Sequence, residues 1–217
     1  MGRVSLLVAF GCGSLVWAFP DKPIEVTNNS SKKYMRPILT FVLSFLATMP
    51  ITAAPPTVGQ KAPDFALLTP GGDKVRLSDE VSKGTVVLVV LRGYPGYQCP
   101  YCNRQVQDYI QKAPGLAEAG ARVLLVYPGP PENLGAKANE FLVNKQLPPN
   151  FHLLLDPGFD FTKQYGLRWD APQETAYPST FLIDNQGVVF FSKTVKADGG
   201  RSTATEVLDI LPKRKPM

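Results

Sequence analysis

The chain has 217 residues, 44% of them hydrophobic, and a formal charge of +5. Residues 55–217 carry 18 Lys and Arg against 16 Asp and Glu, so most of the excess lies in the first 54 residues and in the closing Lys213-Arg214-Lys215. No basic stripe interleaved with aromatics runs through the sequence, so nucleic acid is not an expected partner, and Cys99 and Cys102 with one distant histidine supply neither a disulfide framework nor the four ligands of a structural zinc.

Residues 1–54 read as a leader, which leaves residues 55–217 as one domain long enough for a proper core. Val4 to Phe19 is apolar but short for a membrane span of roughly 20 residues. A polar linker from Asp21 to Tyr34 follows. Met35-Arg36-Pro37, the apolar stretch from Ile38 to Met49 and the small residues Thr52-Ala53-Ala54 then have the charged start, apolar middle and small exit of a secretory signal peptide. The expectation is that Met35 is the true start, that 1–34 is an upstream misreading, and that 35–54 is a signal peptide or anchor. The competing reading keeps Met1 and lets the apolar segments anchor the domain; Cys12 only faintly resembles a lipoprotein processing site. On either reading the domain is exported, periplasmic or membrane-anchored facing outside the cytoplasm. After cleavage only Cys99 and Cys102 remain.

Within the domain, Phe65-Ala66-Leu67-Leu68 and Lys74-Val75-Arg76-Leu77 flank Pro70-Gly71-Gly72-Asp73, a hairpin signal. Ser78-Asp79-Glu80 starts a short helix. Thr85 to Leu91 is a β-branched, uncharged run, as a strand buried on both faces should be, and the strand is expected over residues 85–92. Gly93-Tyr94-Pro95-Gly96-Tyr97-Gln98 breaks the chain before Cys99-Pro100-Tyr101-Cys102, and helix formers continue to about Gly120. Ala121 to Tyr127 reads as a strand ended by Pro128-Gly129-Pro130-Pro131, Glu132 to Gln146 as a helix, Phe151 to Leu155 as a strand, and Phe159 to Tyr165 as a short helix ended by Gly166. Residues 180–184, Asn185-Gln186-Gly187 and residues 188–191 make a hairpin, and a last helix covers Ser202 to Leu211. Strands alternating with helices and closed by a hairpin imply an α/β sandwich with a mixed sheet.

Cys99 and Cys102 form the chemical centre of this reading. A thiol at the first turn of a helix faces unpaired N–H groups and the positive end of the macrodipole, which favour its thiolate. Cys-X-X-Cys thiols so placed have pKa values of roughly 3.5–7.5, against about 8.5 for a free thiol. Cys99 is therefore the expected nucleophile, with Cys102 one turn away to close a disulfide onto it. Haem attachment would need a histidine where Asn103 stands. Arg92 is a candidate for electrostatic support of the thiolate, and Tyr94 and Tyr97 for an aromatic rim facing a partner protein. His152, in an apolar strand, reads as structural rather than as a general base, and Trp169 as packing near the 166–177 loop.

Gly59-Gln60-Lys61-Ala62-Pro63-Asp64-Phe65, the strand leading to Cys99-Pro100-Tyr101-Cys102, and Tyr177-Pro178-Ser179-Thr180-Phe181-Leu182-Ile183-Asp184 followed by Gly187 resemble, in that order, the AhpC/TSA or redoxin superfamily over residues 57–211. The resemblance implies a thioredoxin-like sandwich, a central mixed sheet flanked by helices, working through thiols with no cofactor or metal. Its peroxiredoxin branch carries Pro-x-x-x-Thr/Ser-x-x-Cys, where this chain has Arg92 and Gly96, and an arginine where this chain has Pro178. Losing one such donor to the reacting oxygens costs about 10²–10³ in rate at a comparable site. Pro178 instead matches the cis-proline opposite the Cys-X-X-Cys of thioredoxin-like reductases, a rim whose carbonyl neighbours would be free to pair with an extended substrate strand. No Asp or Glu lies between Thr85 and Gln107. Glu174 is therefore the candidate for the buried carboxylate that assists the second thiol in thioredoxins.

The expected function is thiol–disulfide exchange on a protein disulfide, with Cys99, Cys102 and Pro178 at the site and a thioredoxin-type or membrane redox partner for regeneration. One alternative is an atypical two-cysteine peroxiredoxin that reduces hydroperoxides as an antioxidant. The other is a non-catalytic redox-sensing module whose binding would survive Cys99→Ser.

Overall fold

The computed structural model describes residues 53–197 and 199–211; the leader up to residue 52 and the closing basic residues lie outside them. Among the described residues no helix is long and apolar enough to cross a membrane. The hairpin expected around Pro70-Gly71-Gly72-Asp73 joins β1 (Ala66–Leu68) to β2 (Lys74–Arg76). Then come α1 (Leu77–Val81), β3 (Val86–Val90), α2 (Pro100–Gln111), α3 (Ala113–Glu118), β4 (Arg122–Gly129), α4 (Leu134–Leu142), β5 (Phe151–Pro157), α5 (Asp160–Gln164), β6 (Ser179–Ile183), β7 (Val189–Thr194) and α6 (Ala204–Ile210). The strands make one mixed sheet in the order β2-β1-β5-β4-β3-β6-β7. β3, β4 and β5 run parallel and the other pairings are antiparallel.

β3 shows why its sequence is apolar without alternation. Every residue from Val86 to Leu91 is buried, but successive side chains leave opposite faces of a strand. Val87, Val89 and Leu91 enter a core with Val106 and Tyr109 of α2, Leu116 of α3, Phe141 of α4 and Val207 of α6. Val86, Leu88 and Val90 enter a second core with Val81 of α1, Phe161 of α5 and Phe181 of β6. The sheet is thus covered on both sides, the α/β sandwich that the sequence implies.

Element ends depart from expectation for local reasons. The helix expected from Cys99 to Gly120 breaks at Lys112 (φ −99°, ψ 9°), because Pro114 has no N–H for the helical ladder and its ring clashes with the preceding turn. The helix expected over 132–146 is shortened at both ends, by left-handed Asn133 (φ 60°) before it and extended Val143 after it. β4 runs on through Pro128 and Gly129, which pair with Asp156 and Pro157. Gly93 (φ +72°) lies so close to β4 that a Cβ there would meet the Pro128 carbonyl oxygen at 1.9 Å. Only glycine fits, and with Tyr94 N–H donating to the same oxygen (2.9 Å), the segment entering Cys99 is fixed to the end of β4.

The opposite end of the sheet holds an ionic network that explains the lone histidine. Arg122 Nε donates to Glu80 Oε2 (2.7 Å) and its Nη2 lies 3.0 Å from His152 Nε2. A guanidinium only donates, so His152 Nε2 accepts and the ring is neutral. Burial first, then the Arg122 charge, holds the His152 pKa below its usual value. A group whose folded pKa is depressed in this sense takes up its proton more readily unfolded, so the folded state loses stability as pH falls below the ordinary value of 6.5. In oxidised protein, where Cys99 does not titrate, Tm is expected to fall between pH 7 and 5, and His152→Gln to flatten that slope. Thermal melts of both proteins across this range check it.

Candidate active site

The sequence builds the site at the helix start. Cys99 is the extended residue (φ −67°, ψ 116°) before α2, and Pro100 takes the first helical position, where its missing N–H is not needed and its fixed φ suits the turn. Both thiols are free and buried. The Cys102 S–H donates to the Cys99 sulfur, the largest influence on Cys99, and lowers its pKa against the opposing effect of burial; the backbone N–H groups of Cys102 and Tyr101 and the Arg201 charge lower it further, to about 5. Burial and the negative Cys99 sulfur push Cys102 well above the usual thiol range. One thiolate and one retained proton, shared across a helical turn, are what a nucleophile and its resolving partner require.

Arg201 is the functional residue that the sequence reading missed. Its Nη1 donates to Cys102 Sγ (3.2 Å) and its Nη2 to Cys99 Sγ (3.8 Å). α2 itself holds the segment that carries it: Gln105 Nε2 donates to the Ser202 carbonyl (3.2 Å) and Ala204 N–H to Asp108 Oδ2 (2.7 Å). Thr203 then caps α6 by accepting from Glu206 N–H (3.1 Å). The only sequence trace of this arrangement is a cation after Gly199-Gly200 and before a Thr-x-x-Glu helix start.

The structure brings Arg92 and Glu174, put forward separately, together with each other. Arg92 Nε and Nη2 bind Glu174 Oε2 and Oε1 at 2.5 and 2.6 Å, and Nη2 also donates to the Gln173 carbonyl (3.2 Å). The guanidinium lies 5.4 Å from the Tyr97 ring centre and 5.8 Å from that of Trp169, and Trp169 stacks on Tyr177 (4.9 Å, 17°). This pair therefore ties the loop before Cys99 to the 169–175 loop, while the cation on the sulfurs is Arg201 and both Glu174 oxygens serve Arg92. Arg92 and Glu174 are 7% and 15% exposed. Glu174→Ala removes the carboxylate that both Nε and Nη2 of a buried guanidinium bind and is expected to destabilise the fold by about 3–5 kcal/mol, a loss that urea titration reads directly.

Pro178 is buried immediately before β6, whose first residue, Ser179, faces Val90 at the end of β3. It thus stands at the same end of the sheet as the Cys99 loop. The carbonyl rim expected to be free beside it is largely occupied, the Tyr177 carbonyl accepting from Ser179 Oγ (2.9 Å). The Pro178 carbonyl accepts from Val195 N–H (3.0 Å) and Tyr177 N–H donates to the Leu167 carbonyl (2.8 Å), because Arg168 bridges to Ala176 and folds this segment onto its own chain. Tyr97 and Tyr101, on either side of Cys99, are exposed. Gln98 is pinned, accepting from Tyr127 OH (2.8 Å) and donating to the Lys137 carbonyl (2.9 Å).

A mixed sheet with a buried dithiol at the head of a helix defines a thiol-dependent oxidoreductase of thioredoxin-like fold, and comparison with known proteins gives the family. Residues 58–192 match the AhpC/TSA family, and the chain belongs to it. Peroxiredoxin Bcp of Bacillus subtilis is 32% identical over 139 residues, 60% of this chain and 80% of that protein. Thiol-disulfide oxidoreductase ResA of Bacillus thuringiensis subsp. konkukian is 25% identical over 162 residues, 73% of this chain and 79% of that protein. Among solved structures, peroxidoxin BcpB from Mycobacterium tuberculosis superposes with a TM-score of 0.58 at 22% identity, covering 74% of this chain and 99% of that one. Arg201 lies beyond the matched segment.

Proposed function

We propose that the protein is an exported thiol–disulfide oxidoreductase of the AhpC/TSA family. The Cys99 thiolate attacks a substrate disulfide and expels one thiolate, forming a mixed disulfide. Cys102 then attacks the Cys99 sulfur, releases the second thiolate and leaves a Cys99–Cys102 disulfide for a thioredoxin-type or membrane redox partner to reduce. The observation that carries this reading is Arg201 within reach of both sulfurs. While Cys99 is ionised, the guanidinium offsets its charge. Once Cys99 is bonded to substrate, the negative sulfur that raised Cys102 is gone and the same cation stands 3.2 Å from Cys102, favouring the second thiolate. Export rests on the signal-like pattern of residues 35–54 and is tested by sequencing the N-terminus of the mature protein.

A second reading, hydroperoxide reduction, is favoured by relatives named peroxiredoxin. There Cys99 takes one peroxide oxygen, releases water or an alcohol and becomes a sulfenic acid, which Cys102 converts to the disulfide with loss of water. Gly96 and Pro178, in place of the donors of that branch, weigh against it. Alkylation of reduced protein is expected to be fast at pH 7 and to decline only near pH 5. Parallel assays of insulin-disulfide reduction and hydroperoxide consumption separate the two readings. Fast peroxide turnover with negligible exchange overturns the first, and two unreactive thiols overturn both.

A further inference from the structure

Beside the redox pair, α2 and the 199–203 segment line an open cavity of about 230 Å³. It falls below the roughly 300–1,000 Å³ of sites for drug-sized ligands, so it suits a group of amino-acid size. Its lining includes Tyr101, Arg104, Gln105, Asp108, Arg201 and Ser202. Arg201 connects it to the sulfurs, which do not themselves line it: the same guanidinium donates to both.

Three features describe the ligand. First, charge of both signs lines the cavity. Arg104 and Asp108, four residues apart on α2, share one helix face, and Arg201 stands across from them; Arg104 and Arg201 both lie over the Tyr101 ring, at 4.5 and 5.9 Å. Asp108 Oδ2 accepts from Ala204 N–H, so a carboxylate is fixed here among the cations and a plain dianion is a poor match. Second, Gln105 Oε1 and Ser202 Oγ are buried with no hydrogen-bond partner among the described residues. Their residues are 8% and 3% exposed, and orphaned buried polar atoms of this kind call for a partner. One can only accept, as from an ammonium or amide N–H, and the other can donate to a carboxylate. Third, both sulfurs are buried, and this cavity is lined by the guanidinium that donates to them.

Building on the thiol–disulfide reading, we infer that this cavity binds the zwitterionic end of a small amino-acid disulfide and presents its sulfur to Cys99. The Cys99 thiolate attacks one sulfur of RSSR, the S–S bond breaks, and RS⁻ leaves to take a proton from water while Cys99–S–S–R forms. Cys102 loses its proton to solvent and displaces the second RS⁻, so two electrons pass from the dithiol to RSSR and the Cys99–Cys102 disulfide remains.

The test uses full-length Cys102→Ser protein, in which only Cys99 reacts. Rates of mixed-disulfide formation are followed by mass spectrometry with cystine, cystamine, 3,3′-dithiodipropionate and 2-hydroxyethyl disulfide, each normalised to its rate with a free small thiol. Cystine is expected to lead each of the others by about tenfold. Adding Arg104→Gln, at an exposed position, is expected to reduce the ratio of cystine to 2-hydroxyethyl disulfide by about the same factor. Asp108→Asn is expected to move the preference toward the dianion. Equal normalised rates, a preference for the dianion or dication in the parent, or a cystine preference untouched by Arg104→Gln overturns the inference while leaving exchange chemistry standing. Reaction with none of the four disulfides overturns the exchange reading as well.

Discussion

Arg201→Gln is expected to lower disulfide-exchange turnover by about 10²–10³, the size of effect seen when one donor to a developing charge is removed. The substitution takes the cation from both sulfurs at once, at 3.2 Å from Cys102 and 3.8 Å from Cys99. Because the Cys102 S–H remains the largest support of the Cys99 thiolate, the alkylation midpoint should rise from about 5 yet stay below the free-thiol value of about 8.5. The greater loss should fall on the second step, where the attacking sulfur is the one that burial holds protonated. Arg201→Lys restores a point charge but not two donors in a fixed fork, and should recover the midpoint better than the turnover. Paired pH–alkylation and stopped-flow exchange measurements read both quantities, and an unmoved midpoint with full turnover would remove Arg201 from the mechanism.

Cys102→Ser is expected to abolish multiple turnover, a loss on the order of 10³-fold or more, while Cys99 still reacts once and accumulates the mixed disulfide. A serine hydroxyl can donate to the Cys99 sulfur as the thiol does, so Cys99 keeps its low midpoint. Cys102→Ala, which removes the donor that matters most, should raise it. Cys99→Ser should lose both the first attack and turnover. Intact-mass measurement after exposure to a disulfide distinguishes the three variants, and sustained turnover by the serine variant at position 102 would exclude Cys102 as the resolving thiol.

Local signals made the frame of the molecule readable. The apolar run before Gly93, the hairpin punctuation at Gly71-Gly72 and at Asn185-Gln186-Gly187, and the Cys99-Pro100 helix start each determine structure within a few residues, and all lie where expected. Cys99 and Cys102 were legible for the same reason, since three-residue spacing on a helix fixes their relation. Arg201 was not, because its distance from the sulfurs depends on α6 docking on α2 through Gln105 and Asp108, about a hundred residues away in sequence. Arg92 and Glu174 failed in the same way. Arg92 read as support for the thiolate and Glu174 as the carboxylate assisting the second thiol, but the composition of neither segment says that they satisfy one another across 82 residues. The rim beside Pro178 was misjudged because a proline reveals which N–H is missing, and not which N–H elsewhere claims its carbonyl.

That rim has a consequence for clients. With the Pro178 carbonyl taken by Val195, the Tyr177 carbonyl by Ser179 Oγ and the Tyr177 N–H by Leu167, an incoming polypeptide finds little of a ladder to join beside Pro178, and its main chain contributes little to recognition. A cystine bridge in a long, unfolded chain should then hold no kinetic advantage over the same bridge excised as a short peptide with matching charges. Competing the two against a limiting amount of reduced protein measures that indifference.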